Sequence, residues 1–480
     1  MKYFIILLLL FFQFAYGQKK ELGNILFQKN LNKDSIRVDF ATLYNLTNTI
    51  HPGEFMFCSK QEFDECYDSL KNSIQSDISI VEYYKITATL MAKIKDGHTV
   101  VDRGNISTLL KDQLTFPYNL YKINDAYYLN KTPLTDNSLS GCKVLKINGK
   151  DIHAIIKNIR SYLCIEGENE TAINSRLMNF PFYYFIYEQS EIFEIEYEEN
   201  GQTSKTIRLK GVEFPTFYKA TYATQEPLST EFINTKTAIL KVRSFSNGYN
   251  DYDRKIAEEQ LDAFFSKLDS LKTTDLILDL RGNSGGAPEM ANYLFSYLTN
   301  KPYYYFAYIG MKYNSVKEWK HFAQFPNKID EIDLSQTKII NGLNCYTPTT
   351  DNRVDYWYFE KQQNRPNYFK GNIRILINGG CFSTTGHLLA LMRNYSIGTF
   401  YGEYSQGSNY SNSGMQAFIM PYSKTLVWIP FMQFKMNTPK FKYDPKGIKP
   451  DVEIDKEPID LKTHFDRVQE YVLKQIETKK

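Results

Sequence analysis

The chain has 480 residues, of which 42% are hydrophobic and 23% are charged, a composition typical of globular proteins and not of disordered or fibrous ones. This length predicts two or three domains. The formal net charge of +3 is too small to indicate nucleic acid or an anionic membrane as the main partner.

The first 17 residues have the pattern of a secretory signal peptide. Lys2 supplies a positive charge, residues 3–14 form an apolar run, and residues 15–17 (AYG) place small side chains where a signal peptidase needs them. The run is short for a membrane span, and no later segment reaches the length that a span requires. We therefore predict cleavage after residue 17, no stable span in the mature chain, and a periplasmic or extracellular location.

Six cysteines permit disulfides in an exported chain, although their spacing does not define the connectivity. Cys58 and Cys66 are close enough in sequence to pair. There is no CxxC or HExxH pattern, and the six histidines are scattered. The sequence therefore predicts no metal site, and nothing in it indicates an organic cofactor.

An N-terminal helical domain is predicted for residues 18–110. Apolar residues recur at helical spacing in three segments, which are 38–49, 61–74 and 79–94. Asp96 and Gly97 then end the last helix, and a strand begins at Thr99. His98 therefore lies on a turn, where it is either a polar surface residue or a general base facing a cleft.

A change of pattern over residues 111–212 predicts short strands, which are 126–129, 143–147, 192–198 and 204–209, and a helix over 152–159. Residues 141–150, with the sequence GCKVLKINGK, resemble a PDZ domain of the circularly permuted kind that is attached to bacterial proteases. Such a domain can add an extended peptide to a sheet edge, although its usual carboxylate-binding loop is not readable here.

The third region, residues 213–480, alternates strands with helices. The predicted strands are 237–242, 274–280, 373–377, 398–401 and 424–429, and a helix is predicted over 251–271. This alternation predicts an α/β sheet that is covered by helices on both faces. The aromatic segment 301–368 is interpreted as an irregular insertion near the substrate cleft.

Ser383 lies where a buried strand gives way to a helix. Residues 373–377 form the strand, Asn378 begins a tight turn, and helical spacing starts at Thr384. Unpaired backbone N–H groups at a helix N-terminus stabilise developing negative charge. Ser383 is therefore either a nucleophile or a simple helix cap.

Four motifs occur in one order along the chain. They are DGHTV at 96–100, DLRGNSGG at 279–286, NGGCFSTTGH at 378–387 and GIKPDVEI at 447–454. Together they resemble the tail-specific, C-terminal-processing serine peptidase family, and more closely its tricorn-core and retinoid-binding-protein branch. The resemblance implies an α/β core of the ClpP/crotonase-like type, an N-terminal helical domain, a PDZ-like domain, and a polypeptide substrate.

Site roles follow from the same resemblance. Ser383 matches the nucleophile, and the backbone N–H of Thr384 matches one oxyanion donor. Gly285 or Gly286 would supply the other donor, because a residue without Cβ lets the backbone approach the substrate carbonyl.

The resemblance also implies which residue acts as base. Ser408 stands where the processing proteases carry the lysine of a Ser–Lys dyad, and a neutral hydroxyl cannot accept the nucleophile's proton. His98 matches the histidine of the tricorn-like branch. Gly97 replaces the serine that precedes that histidine, so hydroxyl support would have to come from elsewhere, for example from Thr99.

The orienting acid is Asp444, near the position of the branch's glutamate, or Glu403. The alternative for Asp444 is a turn residue before a proline. Cys381 is interpreted as a small buried apolar residue, and His387 as a packing residue of the helix after Ser383.

The combined interpretation is an exported serine endopeptidase that acts through an acyl-enzyme. Two other interpretations stay open: a non-catalytic ligand-binding protein on the same scaffold, and a peptide-binding PDZ adaptor.

Overall fold

The computed structural model describes residues 30–130, 137–221, 226–246, 251–312, 317–324, 335, 337–348 and 357–478. The predicted signal peptide, residues 1–17, lies outside them. Within the described part of the chain, no helix combines the length and the apolar character needed to cross a membrane.

The helices, in chain order, are α1 (Lys33–Ile50), α2 (Lys60–Ser73), α3 (Ile80–Lys93), α4 (Gly104–Leu109), α5 (Ile152–Arg160), α6 (Ala172–Leu177), α7 (Phe180–Tyr187), α8 (Phe214–Thr221), α9 (Asp251–Leu271), α10 (Pro288–Ser296), α11 (Thr384–Asn394), α12 (Pro458–Thr463) and α13 (Arg467–Glu477). Helices α2 and α3 each begin with a capping box, formed by Ser59 with Glu62 and by Ser79 with Glu82. The three predicted N-terminal helices are thus confirmed to within a few residues.

The strands are β1 (Val100–Val101), β2 (Leu114–Thr115), β3 (Asn119–Ile123), β4 (Ala126–Asn130), β5 (Lys143–Ile147), β6 (Lys150–Asp151), β7 (Ile192–Glu198), β8 (Lys205–Lys210), β9 (Val212–Glu213), β10 (Leu228–Phe232), β11 (Thr237–Val242), β12 (Asp275–Asp279), β13 (Phe306–Met311), β14 (Lys338–Ile340), β15 (Leu343–Tyr346), β16 (Asn372–Ile377), β17 (Thr399–Gly402), β18 (Tyr410–Ser413), β19 (Gln416–Ile419), β20 (Leu426–Ile429), β21 (Met432–Met436) and β22 (Val452–Glu453). Short 3₁₀ turns accompany them.

The central sheet has the strand order β10-β11-β12-β16-β17-β22 and is parallel except for the β10–β11 pair. Side chains alternate between its two faces. Leu276 and Leu278 pack under α9, α10 and α11, whereas Ile277 packs on the opposite side against Val472 of α13. The predicted α/β sheet covered on both faces is therefore confirmed.

An antiparallel sheet of order β3-β4-β5-β7-β8, with β6 paired to β5, occupies the predicted PDZ-like region. Its strands β5 and β7 have the predicted bounds. The PDZ resemblance itself, and the predicted domain boundaries at residues 110 and 212, stay predictions.

One predicted strand of the core belongs elsewhere. β20 does not join the central sheet but pairs antiparallel with β1 and β19. Strand periodicity identifies a strand without identifying its partner, which is why the sequence placed 424–429 in the α/β sheet. The consequence is that the strand after His98 is hydrogen-bonded to the C-terminal half of the chain.

A further sheet, of order β14-β15-β13-β21-β18, includes strands from the segment that the sequence interpretation called irregular. Its strands alternate short apolar and polar stretches, so no single segment has a pattern that predicts the sheet.

All six cysteines are free thiols, and Cys58 and Cys66 do not form a disulfide.

Candidate active site

Ser383 occupies a strained turn between β16 and α11. Its backbone has φ +52° and ψ −126°, a conformation that costs a residue with a Cβ about 1–3 kcal/mol. It stands at the cap position of α11, yet its side chain makes no capping hydrogen bond. The simple helix-cap interpretation is therefore wrong, and the hydroxyl is directed to another partner.

That partner is His98. The distance from His98 Nε2 to Ser383 Oγ is 3.0 Å, so the two residues form a hydrogen bond across 285 positions of sequence. The His98 ring packs against Phe382, with 4.4 Å between the ring centroids, and only 6% of the residue is exposed. The structure thus brings together the two residues that the sequence motifs singled out.

The turn that carries His98 is held from two sides. The Gly97 N–H donates to Glu166 Oε2 at 2.8 Å, and β1 pairs with β20 immediately after the turn. A Cβ on Gly97 would lie 2.5 Å from the Phe382 ring and 2.7 Å from Gln406 Nε2. A side chain at position 97 would therefore require Phe382 and Gln406 to shift.

Burial controls the protonation of His98. Removal from water lowers its pKa to about 4, against the opposing attraction of Asp96 and with smaller contributions from Arg176 and His51. The ring is consequently neutral at neutral pH, and a nitrogen lone pair is available to accept a proton.

His387 is also buried, but within the described part of the chain its ring makes no hydrogen bond of the kind that His98 makes. Neither ring nitrogen has a hydrogen-bond partner among the described residues, and burial lowers its pKa to about 3. Its ring lies edge-on to Phe306, with 5.5 Å between the ring centroids. The interpretation of His387 as a packing residue fits these contacts.

The structure does not bring Asp444 to His98. Its Oδ1 accepts the Lys446 N–H at 2.8 Å, which is the turn interaction considered for a residue before Pro445. Glu403 also lies elsewhere, because its Oε1 accepts the Tyr121 hydroxyl at 2.9 Å. Sequence proximity to a family motif failed here because the loop direction depends on tertiary packing.

Asp96 is the carboxylate beside His98. Its Oδ1 lies 3.9 Å from His98 Nδ1 and accepts the His98 backbone N–H at 2.7 Å. Its Oδ2 accepts from Asn412 Nδ2 at 2.8 Å and lies 3.2 Å from His51 Nε2. The sequence analysis treated Asp96 only as part of a helix stop, and nothing local identifies His51 or Asn412 as its partners.

Two backbone N–H groups next to Ser383 can serve an oxyanion. Among the described residues, the Thr384 and Gly286 N–H groups have no acceptor. The Gly285 N–H, in contrast, donates to Asn283 Oδ1 at 2.9 Å. Of the two glycines left open by the sequence, Gly286 has the available donor.

Side-chain bonds fasten the Gly-rich turn to the nucleophile turn. Asn378 Oδ1 accepts the Gly282 N–H at 2.9 Å, and Thr384 Oγ1 donates to the Gly286 carbonyl at 2.5 Å. A Cβ on Gly285 would lie 2.8 Å from Ser383 Cβ. The close approach of the two turns therefore requires a glycine at 285.

Three other residues considered from the sequence do not join the Ser383–His98 pair. Ser408 is buried, and its hydroxyl has no partner among the described residues. Thr99 Oγ1 bonds to His51 Nε2 at 2.9 Å and does not support His98. Cys381 Sγ donates to the Leu280 carbonyl, and burial raises its pKa to about 12, so it is a thiol and not a thiolate nucleophile.

Asp96, His98 and Glu166 have ligand atoms within 4.8 Å of one another, a grouping from which a metal ion can be held. Of these three, His98 is bonded to Ser383, and Asp96 faces His98. The sequence prediction that no metal is needed stays a prediction.

A partly buried serine bonded to a buried histidine, beside unpaired backbone N–H groups, is the arrangement of a serine hydrolase. Residues 236–454 match the model of peptidase family S41. This match covers a little under half of the chain, and it supports a serine peptidase of that family. No curated protein sequence matches the chain.

Solved structures agree with the fold. Mature CPAF is 13% identical over 90% of this chain and 94% of its own, with a TM-score of 0.59. Mature CPAF complexed with lactacystin is 14% identical over 90% and 95%, with a TM-score of 0.60. The photosystem II D1 C-terminal processing protease is 12% identical over 88% and 93%, with a TM-score of 0.43. The likeness to CPAF shows a shared fold.

Replacing Gly285 by alanine should disrupt the site, because the new Cβ would collide with Ser383. We expect labelling of Ser383 by a fluorophosphonate probe to fall at least tenfold. Gly149→Ala is the matched control, since Gly149 also has a positive φ but has open space where a Cβ would go. Equal labelling of the two variants would contradict the proposed close approach.

Proposed function

We propose that the protein is an exported serine endopeptidase in which Ser383 is the nucleophile and His98 the general base. The observation that carries the proposal is the 3.0 Å contact between Ser383 Oγ and a buried histidine whose pKa lies near 4. A histidine that is neutral at neutral pH and within hydrogen-bond reach of the hydroxyl can accept its proton.

In this mechanism His98 Nε2 takes the proton of Ser383 Oγ while the oxygen attacks a peptide carbonyl. The carbonyl oxygen becomes an oxyanion, which accepts hydrogen bonds from the Thr384 and Gly286 N–H groups. His98 then protonates the leaving amine as the C–N bond breaks. His98 then deprotonates a water molecule, which attacks the ester carbonyl of the acyl-enzyme. As the ester C–O bond breaks, His98 returns that proton to Ser383 Oγ.

We assign the orienting role to Asp96 instead of Asp444. For Nε2 to accept a proton, His98 must carry its hydrogen on Nδ1, and Nδ1 faces Asp96 Oδ1. The separation of 3.9 Å is long for a hydrogen bond, but catalytic contacts in free enzymes often shorten when substrate binds. A buried carboxylate at this position stabilises the imidazolium that forms during attack.

A polypeptide substrate follows from the peptidase family. Export rests on the signal-peptide pattern of residues 1–17 alone. Peptide addition to the edge of β3 is not favoured at Lys122, because the Asn174 side chain already binds the Lys122 N–H at 2.7 Å and its carbonyl at 3.1 Å. The observations therefore favour an enzyme over a peptide-binding adaptor.

A fluorophosphonate probe should label the wild-type protein at Ser383 and should not label Ser383→Ala. Ser408→Ala is the matched control: it also removes a buried hydroxyl, but from the position of the absent lysine. We expect it to be labelled like wild type. Failure of folded wild type to react would favour the non-catalytic interpretation of the scaffold.

On the acid limb of the pH profile, the labelling rate should fall at a pH well below the pKa of an ordinary histidine. Because the pKa of His98 is lowered to about 4, the ring stays neutral as pH falls through ~6.5, where an exposed histidine would become charged. The labelling rate should hold between pH ~7 and ~5 and decline near pH 4, with reversibility checked by returning samples to neutral pH. A midpoint near 6.5 would contradict the assignment.

Asp96→Asn should lower the labelling rate about 100-fold or more, because the amide no longer offers a negative charge to the imidazolium. Asp444→Asn makes the same chemical change at the residue predicted from sequence, and its Oδ1 can still accept the Lys446 N–H. We expect this second variant to stay within about twofold of wild type. A larger loss in Asp444→Asn than in Asp96→Asn would reverse the assignment.

A further inference from the structure

A second histidine lies behind Asp96. His51 is fully buried, and its Nδ1 accepts the Gly53 N–H at 3.1 Å. A ring nitrogen that accepts a hydrogen bond carries no proton, so the neutral ring carries its proton on Nε2. That nitrogen bonds to Thr99 Oγ1 at 2.9 Å and lies 3.2 Å from Asp96 Oδ2, so its proton faces both the hydroxyl and the carboxylate oxygen remote from His98.

The surroundings of Asp96 leave it little freedom. Its Oδ2 is bounded by His51 and by the amide of Asn412, while its Oδ1 accepts the His98 backbone N–H. Burial alone would raise the pKa of Asp96, but its interactions with His51 and His98, including the hydrogen bond from the His98 backbone N–H, lower it. The carboxylate is therefore ionised, and it is fixed by donors with one oxygen toward the His98 ring.

The turn that carries His51 is shaped so that His51 and Asn412 can both approach Asp96. His51 ends α1, and its backbone N–H bonds to the Thr47 carbonyl at 3.1 Å. A Cβ on Gly53 would lie 2.8 Å from Asn412 Oδ1, so the glycine is what lets Asn412 approach. The turn after α1 and β18 therefore enclose Asp96 together.

We propose that His51 is a positioning residue of the peptidase site, which holds Asp96 by donating from Nε2 and thereby orients His98. The proposal rests on the proposed function of Ser383, His98 and Asp96. His51 touches neither the nucleophile nor the oxyanion donors, so it acts on the reaction only through Asp96. Without this donor, Asp96 is held only by the Asn412 amide and the His98 backbone N–H, so its carboxylate is less firmly oriented and more basic.

Other titratable groups face the same cluster. Glu166 accepts the Gly97 N–H of the His98 turn, and burial and the nearby Asp96 raise its pKa. Arg176 interacts with both His98 and Glu166 through its charge. Tyr443 lies near Asp96 and Glu166, and burial raises its pKa, so it stays neutral. On the side remote from His98, Asp96 Oδ2 is therefore faced by two donors, His51 Nε2 and Asn412 Nδ2.

The test compares two substitutions at position 51. In His51→Gln the amide nitrogen takes the place of Nε2 and keeps a donor toward Asp96. In His51→Asn the shorter side chain keeps an acceptor for the Gly53 N–H but has no donor that reaches Asp96. Both substitutions introduce a polar, uncharged amide, so a purely structural role of His51 would make the two variants behave alike.

We expect His51→Asn to lower the rate of fluorophosphonate labelling about ten- to 100-fold, as a displaced catalytic group does. Its acid limb should also move to higher pH, because a more basic Asp96 stabilises protonated His98. His51→Gln should stay within about threefold of wild type, with the acid limb little changed. Two results would overturn the proposal. In the first, both variants match wild type in labelling rate and in the pH of the acid limb. In the second, both variants lose labelling rate equally and neither acid limb moves.

A measurement on the wild-type protein covers the case in which a variant does not fold. The ¹⁵N shifts of ¹⁵N-histidine-labelled protein report which ring nitrogen carries the proton. We expect His51 to be the Nε2–H tautomer at neutral pH, and an Nδ1–H tautomer would overturn the proposal. Unreactive wild-type protein would instead refute the proposed function, whereas reactive wild type with an unaffected His51→Asn would refute only the role of His51.

Discussion

The hydrogen bond between His98 and Ser383 is the contact on which the site depends, and it joins residues 285 positions apart. Each partner is positioned by a different part of the fold. A parallel sheet ends at the Ser383 turn, so the serine is carried on rigid backbone with free N–H groups beside it. The histidine reaches it because β1 pairs with β20, which ties the N-terminal helices to the peptidase core. Since neither half holds both residues, the site exists only when the two are packed together.

Burial then decides which of the nearby groups is chemically active. The same removal from water that keeps His98 neutral also keeps Cys381 protonated and His387 uncharged. His98 differs from His387 in having a hydroxyl on one side and a carboxylate on the other. Asp96 keeps its charge in this environment because it is surrounded by donors, and a buried carboxylate is tolerated when its oxygens are hydrogen-bonded. The chemistry thus follows from hydrogen-bond partners more than from residue type.

Much of the local structure could be predicted because it depends on near neighbours in sequence. Apolar spacing predicted the N-terminal helices, and apolar runs predicted four of the six strands of the central sheet, which are β11, β12, β16 and β17, to within a residue. The errors concern partners. The strand at 424–429 was assigned to the wrong sheet, and Asp444 was paired with a histidine that it does not approach. Strand pairing and loop direction depend on packing between distant segments, and a single sequence does not contain that information locally.

The amino-acid sequence by itself determined the candidate nucleophile, the candidate base and the absence of a lysine at position 408, because each lies in a short motif with its own turn chemistry. Only the tertiary structure shows that, among the described residues, the Gly286 N–H has no acceptor whereas the Gly285 N–H has one, and that Asp96 and not Asp444 lies beside His98. It also revealed His51 and Asn412 behind that carboxylate. The physical reason is that a motif fixes backbone geometry over a few residues, whereas the partners of a buried charge come from wherever the fold brings donors together.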